Sequence, residues 1–254
     1  MSRPTLTPFP TRPGLYGKLH SHGDFVVRRL PREFVSGWDA WLQQGIVECK
    51  LAIGPAWEEK YRDAPVWRFV TAPGICGESA WTGIIQPSMD RVGRYFPLTI
   101  AVALPDETDV LYTLFAAASW YGTIEREAAA AFDSDVQLDE LDRRIEQIAF
   151  PIGRIAHVDT TEDTLPIAQR VFPAIKLSLG QQSSYASVLD ALSREQFTAA
   201  LSRCAWLTTG TPSIGPALLM TKTLPGARHF CALFDGLWDT HGWESSTQVV
   251  NSSG

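Results

Sequence analysis

A run of alternating large and small residues, Leu98–Leu104, constrains the fold of this 254-residue chain more than any other feature. Leucine, isoleucine or valine occupies every second position of the run, and threonine or alanine fills the positions between them. Alternate side chains of a strand point to opposite faces of its sheet, so this strand has two faces without charge and both need to be covered. The run therefore predicts a central strand with neighbours on both sides and helices above and below.

The stretch just before this strand, residues 86–97, predicts an irregular loop at the N-terminal end of the strand. Pro87 and Gly93 favour turns over regular structure, and several charged residues accompany them. Such a loop displays its polar side chains, which suits either the recognition of a partner or an internal brace for the sheet.

Asp90, Arg91 and Arg94 are the charged residues of this loop. Two arginines near a glycine can bind a phosphate or a carboxylate through paired hydrogen bonds. Alternatively, a guanidinium pairs internally with the carboxylate of Asp24 or Asp90 and braces the start of the strand. In the bracing interpretation we expect Arg91 to carry the ion pair and Arg94 to lie nearer the apex of the loop.

The rest of the chain predicts strands and helices that interleave without strict alternation. Strand patterns occupy residues 14–19, 25–30, 66–71, 80–85, 174–179, 205–208, 217–221 and 230–234. Helical spacing follows Pro31 and recurs over residues 110–132, 138–148 and 185–192. This order predicts an α/β fold, a three-layer α/β/α sandwich around a mixed sheet.

A single domain is expected over residues 8–245, because no low-complexity linker divides the chain. Residues 151–172 show no period and predict an exposed polar loop. Residues 246–254 predict a mobile tail.

Composition and charge narrow the class of protein. The net charge of -6 and the pI near 5.4 leave no basic footprint, so no nucleic-acid partner is expected. The proline-rich residues 1–13 lack the apolar core of a signal peptide, which predicts a cytoplasmic protein. The longest apolar stretch, residues 110–121, is too short to span a bilayer, so no direct membrane insertion is expected.

The cysteines lie far apart and form no C-x-x-C pair; they are Cys49, Cys76, Cys204 and Cys231. This spacing matches neither a zinc knuckle nor a dense disulfide framework. The sequence therefore predicts four reduced, buried thiols.

Charge is segregated along the chain. Residues 106–146 hold eleven acidic and three basic residues, whereas residues 1–33 hold six basic and two acidic residues. The acidic segment is either a solvated helical face or a docking surface for a protein partner.

His20, His22 and Asp24 form the pattern that most suggests a metal. Two imidazoles and a carboxylate are ligands of hydrolytic metal centres, so a metal-dependent hydrolase is one alternative function. The pattern is incomplete, because the H-x-H-x-D-H arrangement has Phe25 in place of its last histidine. A turn in which Gly23 supplies conformational freedom explains the same residues without a metal or cofactor.

No complete catalytic motif occurs elsewhere in the sequence. Gly17 and Lys18 lack the first glycine and the hydroxyl residue of a phosphate-binding loop, and residues 77–81 lack the second glycine of a nucleophile elbow. We therefore expect no catalytic residues and no enzyme activity.

Four segments carry a longer and more specific pattern: G-L-Y-G-K at residues 14–18, G-D-F at 23–25, W-T-G at 81–83 and P-S-M-D-R-V-G-R-Y-F-P-L at 87–98. Together they resemble the TagF family of proteins associated with type VI secretion. The resemblance is strong over residues 13–104 and looser in the C-terminal third, where Cys204 and Leu207 depart from the S-x-W-W-T-x-G segment of the family. His20 stands where proline is usual, which argues against a family-wide metal role.

The resemblance implies a bacterial, cytoplasmic accessory protein without catalytic activity or cofactor. It implies negative, post-translational regulation of type VI secretion through contact with a scaffold protein that carries a forkhead-associated domain. The candidate partner- or ligand-binding residues in the matching segments are Lys18, Asp24, Ser88, Asp90, Arg91 and Arg94. A module that binds an anion or small ligand through Arg91 and Arg94 is the other alternative to the metal-dependent hydrolase.

Overall fold

The computed structural model describes residues 12–105, 108–132, 136–152, 174–180, 183–194 and 202–250. The strands are β1 (Gly14–Gly17), β2 (Val26–Arg28), β3 (Trp67–Thr71), β4 (Ala80–Gln86), β5 (Leu98–Leu104), β6 (Ala174–Leu179), β7 (Cys204–Thr208), β8 (Ala217–Thr221) and β9 (Glu244–Val250). The α-helices are α1 (Arg32–Ile53), α2 (Trp57–Asp63), α3 (Val110–Ala116), α4 (Ala118–Ala130), α5 (Leu138–Glu146), α6 (Tyr185–Arg194) and α7 (Ala227–Asp235). Within these ranges no helix has both the length and the apolar character needed to cross a membrane.

The described strands form one sheet in the order β2-β1-β5-β4-β3-β7-β8-β6-β9. β5 pairs with β1 on one side and with β4 on the other, which confirms its predicted interior position. The pairing between β6 and β9 is parallel and the other pairings are antiparallel, so the sheet is mixed as predicted.

Helices cover both faces of the sheet, which confirms the predicted three-layer sandwich. α3, α4, α5 and α6 pack on one face, and α1, α2 and α7 pack on the other. The four large side chains of β5 are buried in the first face, whereas Ala101 and Ala103 belong to the second. The alternation in the sequence of β5 therefore corresponds to two differently filled layers.

The second face is built on aromatic rings. Trp38 of α1 is fully buried, and its ring centroid lies 4.5 Å from that of Phe69 and 6.0 Å from that of Trp206. The indole N–H of Trp38 donates a hydrogen bond to the hydroxyl of Thr99 in β5 at 2.8 Å. Small residues on this side of β5 leave room for the indole, which is why the strand needs alanine and threonine there.

The single helix predicted over residues 110–132 is divided into two. α3 ends at Ala116 and α4 begins at Ala118, and Ala117 between them has a φ of -93° and a ψ of 17°. These angles lie outside the α-helical region, so the helix axis is interrupted there. α3 begins after Asp109, whose carboxylate accepts the backbone N–H of Tyr112 at 2.7 Å and caps the helix.

Residues 230–234 form part of helix α7, so the strand predicted there is wrong. The five consecutive side chains from Phe230 to Phe234 are all buried, since α7 packs against α1 and α2. A helix buried on several sides has no polar face, and its sequence period cannot be distinguished from that of a buried strand.

The end of the chain also differs from the prediction. A mobile tail is predicted from residue 246, but β9 spans Glu244–Val250 and pairs with β6. β9 lies at the edge of the sheet, where a polar sequence without clear alternation is tolerated. The proline-rich residues 1–11, most of the predicted loop at 151–172 and residues 251–254 lie outside the described residues.

The prediction of four reduced thiols is wrong for two of the cysteines. Cys49 of α1 and Cys231 of α7 form a disulfide across a sequence separation of 182, with their Cα atoms 5.1 Å apart. Cys76 and Cys204 are free and buried, as predicted. Sequence spacing could not reveal the bond, because it depends on the packing of α1 against α7.

The two oppositely charged segments of the sequence meet in the fold. Arg29 pairs with Asp142 of α5 at 2.7 Å, and Arg28 pairs with Asp139 at 3.4 Å. The basic N-terminal segment therefore engages part of the acidic helix from within the protein. These ion pairs account for some of the charge segregation without an external partner.

Truncation of Ile100 should test the two-sided burial of β5. Ile100 is 0% exposed, so Ile100→Ala should lower the free energy of unfolding by about 2 to 5 kcal/mol through lost burial and cavity formation. Val47→Ala is the control, because Val47 is 57% exposed on α1 and its truncation should change the stability by less than about 0.5 kcal/mol. Equal urea denaturation curves for the two variants would contradict the interior position of β5.

Candidate functional site

Asp90 is the buried centre of the loop between β4 and β5. Its side chain is 0% exposed and accepts hydrogen bonds on both oxygens. The backbone N–H groups of Val92 and Arg94 donate to Oδ1 at 3.0 and 2.9 Å. The Lys18 ammonium and the Arg94 guanidinium donate to Oδ2 at 2.9 and 2.6 Å. One carboxylate thus closes the turn and ties it to the residue that follows β1.

Lys18 is the buried cation of this arrangement, with a side chain that is 8% exposed. Its ammonium also lies 5.1 Å from the ring centroid of Phe25. A buried ammonium is stable only beside an anion or another strong acceptor, because burial removes its hydration. Lys18 and Asp90 therefore satisfy each other inside the protein, so neither is free to bind a ligand as the sequence predicted.

Two opposing effects set the pKa of Asp90. Burial raises the pKa, since a carboxylate loses its hydration in the protein interior. Hydrogen bonds from Arg94, Lys18 and Val92 stabilise the charged form and together hold the pKa well below its ordinary value. Asp90 is therefore ionised at neutral pH and serves as a hydrogen-bond acceptor.

Ser88 anchors the N-terminal side of the loop. Its hydroxyl donates to the carbonyl oxygen of Lys18 at 2.8 Å. The Tyr61 hydroxyl donates to the carbonyl oxygen of Ser88 at 3.0 Å and accepts the Ser88 backbone N–H at 3.1 Å. Gly93 completes the turn with a φ of +84°, a conformation that residues with a side chain rarely adopt. Ser88 is buried and fully engaged, so its role is structural.

Arg91 and Val92 form the exposed tip of the loop. Val92 is 66% exposed, and the backbone N–H of Arg91 donates to the carbonyl oxygen of His22 at 2.9 Å. Among the residues that the structure describes, the Arg91 guanidinium has no hydrogen-bond or ion-pair partner. The brace therefore runs through Lys18 and Arg94, and the expectation that Arg91 carries it is wrong.

The predicted anion site built on two arginines does not assemble. The Arg94 guanidinium binds Asp90 and the carbonyl oxygen of Gly23, so it does not join Arg91 as a second free cation. Asp24 is exposed and takes no part in the brace, although the sequence allowed it as a partner.

The residues of the predicted metal pattern, His20, His22 and Asp24, likewise do not form a metal site. No group of three histidine, cysteine, aspartate or glutamate residues suited to a metal occurs in the described part of the chain. His22 lies beside the Ser21 hydroxyl, with Nδ1 and Oγ 2.9 Å apart, and His20 packs against the ring of Phe132. The hydrolase alternative therefore has no assembled site among these residues.

Two aromatic residues belong to the site without having been predicted. Phe25 is 46% exposed, contacts Lys18 and lies 4.7 Å from Phe96 between ring centroids. Tyr61 holds the backbone of Ser88 from α2. The G-D-F segment, which belongs to the family-like pattern, could have pointed to Phe25 as a site residue. Tyr61 lies in a segment without a recognisable period, so nothing in the sequence indicates its role.

The brace predicts an order of stability among variants. Asp90→Ala leaves the buried Lys18 ammonium unpaired and should lower the free energy of unfolding by about 3 to 5 kcal/mol. Arg94→Ala removes a side chain that is 61% exposed and should cost about 0 to 1 kcal/mol. Arg91→Ala should change the stability by less than about 0.5 kcal/mol. A urea denaturation series in which Arg91→Ala is as unstable as Asp90→Ala would overturn this account.

Acid should weaken the fold through the same carboxylate. Because the pKa of Asp90 is lower in the folded protein than in the unfolded chain, its contribution is complete above about pH 5 and is lost as the pH falls further. Between about pH 6 and pH 3, the parent should therefore lose stability more steeply than Asp90→Asn, which cannot ionise there. Parallel pH profiles in urea denaturation would exclude this contribution.

Comparison with known proteins places the chain in a family. Residues 14–148 match the family model of the TagF N-terminal domain, described as type VI secretion system-associated. A crystal structure of PA0076 from Pseudomonas aeruginosa PAO1 is similar with a TM-score of 0.67 and 30% sequence identity, over 95% of this chain and 98% of that chain. A search of curated proteins gives no match. The matched segment contains the whole Asp90 brace, and the chain belongs to the TagF family of type VI secretion system-associated proteins.

Proposed function

We propose that this protein is a non-catalytic, cytoplasmic regulator that restrains type VI secretion after translation by binding a scaffold protein with a forkhead-associated domain. Membership in the TagF family supports a role related to type VI secretion. The restraint and the identity of the scaffold are what the family resemblance implies, and they belong to the proposal.

The observation that carries the proposal is a hydrogen-bonded loop whose tip side chains have no partner among the residues that the structure describes. Asp90 holds the backbone of Val92 and Arg94, so the tip is fixed before any partner arrives. The tip presents an apolar side chain, Val92, next to the cationic side chain of Arg91. Preorganised binding surfaces lose little conformational entropy on association, and arginine is enriched at the energetic centres of interfaces.

Phe25 extends this surface. It is 46% exposed and lies two residues after Gly23, whose carbonyl oxygen accepts a hydrogen bond from the Arg94 side chain. A mixed surface of apolar and cationic groups favours a partner that offers an apolar patch with an acidic residue beside it. We therefore assign the tip of the loop and Phe25 to the scaffold contact.

The non-catalytic and cytoplasmic parts of the proposal have different support. The two buried ionisable groups of the brace, Asp90 of the loop and Lys18 after β1, are paired with each other and are not arranged around a reacting group. The cytoplasmic location rests on the resemblance, and the Cys49–Cys231 disulfide speaks against it because such bonds are rare in the cytosol. Both cysteines are buried, which limits the access of reductants to the bond.

Charge and polarity changes at the tip should separate binding from folding. Arg91→Glu and Val92→Asp should melt like the parent, because both side chains are exposed, yet should bind the scaffold at least about tenfold more weakly. Binding of the purified scaffold is measured by titration calorimetry. Secretion is measured in bacteria that lack the chromosomal copy of the gene and carry each variant, and both variants should fail to restrain it.

Matched controls come from another surface of the same chain. Arg32→Glu and Leu51→Asp make the same chemical changes at exposed positions of α1, and both should bind and restrain like the parent. Unchanged scaffold binding by Arg91→Glu and Val92→Asp would contradict the assigned surface. Scaffold binding by none of the proteins, the parent included, would contradict the partner itself.

A further inference from the structure

A cavity of about 360 Å³ is lined by both ends of the loop and not by the residues of its exposed tip, Arg91 and Val92. Its walls come from the turn after β1, from α2, from the start of the loop and from the end of α4. Met89 and Tyr95, which form the isolated bridge that closes the loop, both line it. The volume falls within the range of pockets that bind small molecules.

The walls of the cavity are mostly apolar and aromatic. Val66, Met89, Tyr95 and Phe132 supply much of this lining. The hydroxyl of Tyr61, which also lines the cavity, is already engaged by the backbone of Ser88. The walls therefore favour a ligand with an apolar body.

His20 supplies an unused polar atom. Its Nδ1 is buried and finds no hydrogen-bond partner among the described residues, although the ring lines the cavity. Burial lowers the pKa of His20, so the imidazole is neutral at pH 7 and can donate one hydrogen bond from whichever nitrogen carries the proton. Buried polar atoms are normally paired, so an unpaired nitrogen in a ring that lines a cavity favours a ligand that hydrogen-bonds to that ring.

Arg62 contributes a positive charge to the lining of the cavity. It lines the cavity from α2, and its Nε donates to the carbonyl oxygen of Glu58 at 3.3 Å. Within the described ranges its guanidinium has no carboxylate partner. Among the residues that the structure describes, no aspartate or glutamate lines the cavity. The Glu58 carboxylate, on the same helix, accepts a hydrogen bond from the Tyr95 hydroxyl at 3.5 Å. Arg62 is therefore the charged side chain of the described lining, and its guanidinium is not paired with the Glu58 carboxylate.

From this combination we infer that the cavity binds a small carboxylic acid with an aromatic or branched aliphatic body. The carboxylate is recognised by the Arg62 guanidinium and the His20 imidazole, and the apolar body lies against Val66, Met89 and Phe132. Arginine matches a carboxylate because its planar fork offers parallel N–H donors. This site goes beyond the scaffold contact, since it uses other side chains and requires no protein partner.

A second cavity shows that an arginine in the wall is not by itself sufficient to form a carboxylate-binding site. It has a volume of about 340 Å³ and is lined by Arg68 together with residues of α3, β6 and β7. The Arg68 guanidinium, however, already binds both oxygens of Glu125 at 2.6 and 2.8 Å. Its charge is neutralised by Glu125 within the protein, whereas Arg62 in the first cavity has no carboxylate partner among the described residues.

Paired acids and amides provide the direct test. The probes are phenylacetate, indole-3-acetate and 3-methylbutanoate, each compared with its uncharged amide by ligand-observed NMR titration of the full chain at about pH 7.5. At least one acid should bind saturably and about tenfold more tightly than its amide, since a charge-assisted contact contributes at least one factor of ten. The lack of saturable binding by all three acids would overturn the inference, as would equal affinity for acid and amide.

Three variants locate the binding in this cavity. Arg62→Gln should remove the tenfold preference for the acid, and His20→Phe should weaken acid binding while keeping the ring contact with Phe132. Arg32→Gln is the matched control, because Arg32 is exposed on α1 and does not line the cavity. Thermal melting confirms that each variant is folded. Full preference for the acid in folded Arg62→Gln would place the binding elsewhere and overturn the assignment.

Discussion

The burial of the sheet on both faces is the constraint on which the rest of the structure depends. β5 carries large side chains toward α3, α4 and α5, and it carries small ones toward the aromatic layer of α1. Trp38 occupies the space above the small residues and donates its indole N–H to Thr99. A larger residue at Ala101 or Ala103 would meet the aromatic layer, so the two layers limit each other's composition. This tight packing gives the loop before β5 a fixed base.

A buried ion pair then fixes the loop on that base. The pair of Lys18 and Asp90 joins the end of β1 to the turn before β5, although the two residues are 72 positions apart. Such pairs often contribute little net stability, because desolvation opposes their attraction, but they penalise any arrangement that separates the charges. The pair therefore selects one position for the loop. This explains how a charged and glycine-containing stretch can be ordered next to a nearly uncharged strand.

The ordered loop has two surfaces with different chemistry. Arg91 and Val92 point outward and make a small apolar and cationic tip, which suits a protein partner. Met89 and Tyr95 line the cavity, where His20 provides a polar atom without a partner among the described residues. In our two proposals, one short segment contributes to both a partner surface and a ligand cavity. The two roles are separable by mutation because they use different side chains.

The sequence by itself determined the interior strand β5, the mixed sheet between two helical layers, and the importance of the loop around Asp90. These features follow from local alternation, helical spacing and turn chemistry, which are properties of neighbouring residues. Only the tertiary structure decided that Lys18 and Arg94, rather than Arg91, pair with Asp90, and that Cys49 meets Cys231. It also decided that residues 230–234 form a helix and that residues 246–250 form an edge strand. The physical reason is the same in each case: these outcomes depend on which distant segments pack together, and local sequence patterns do not carry that information.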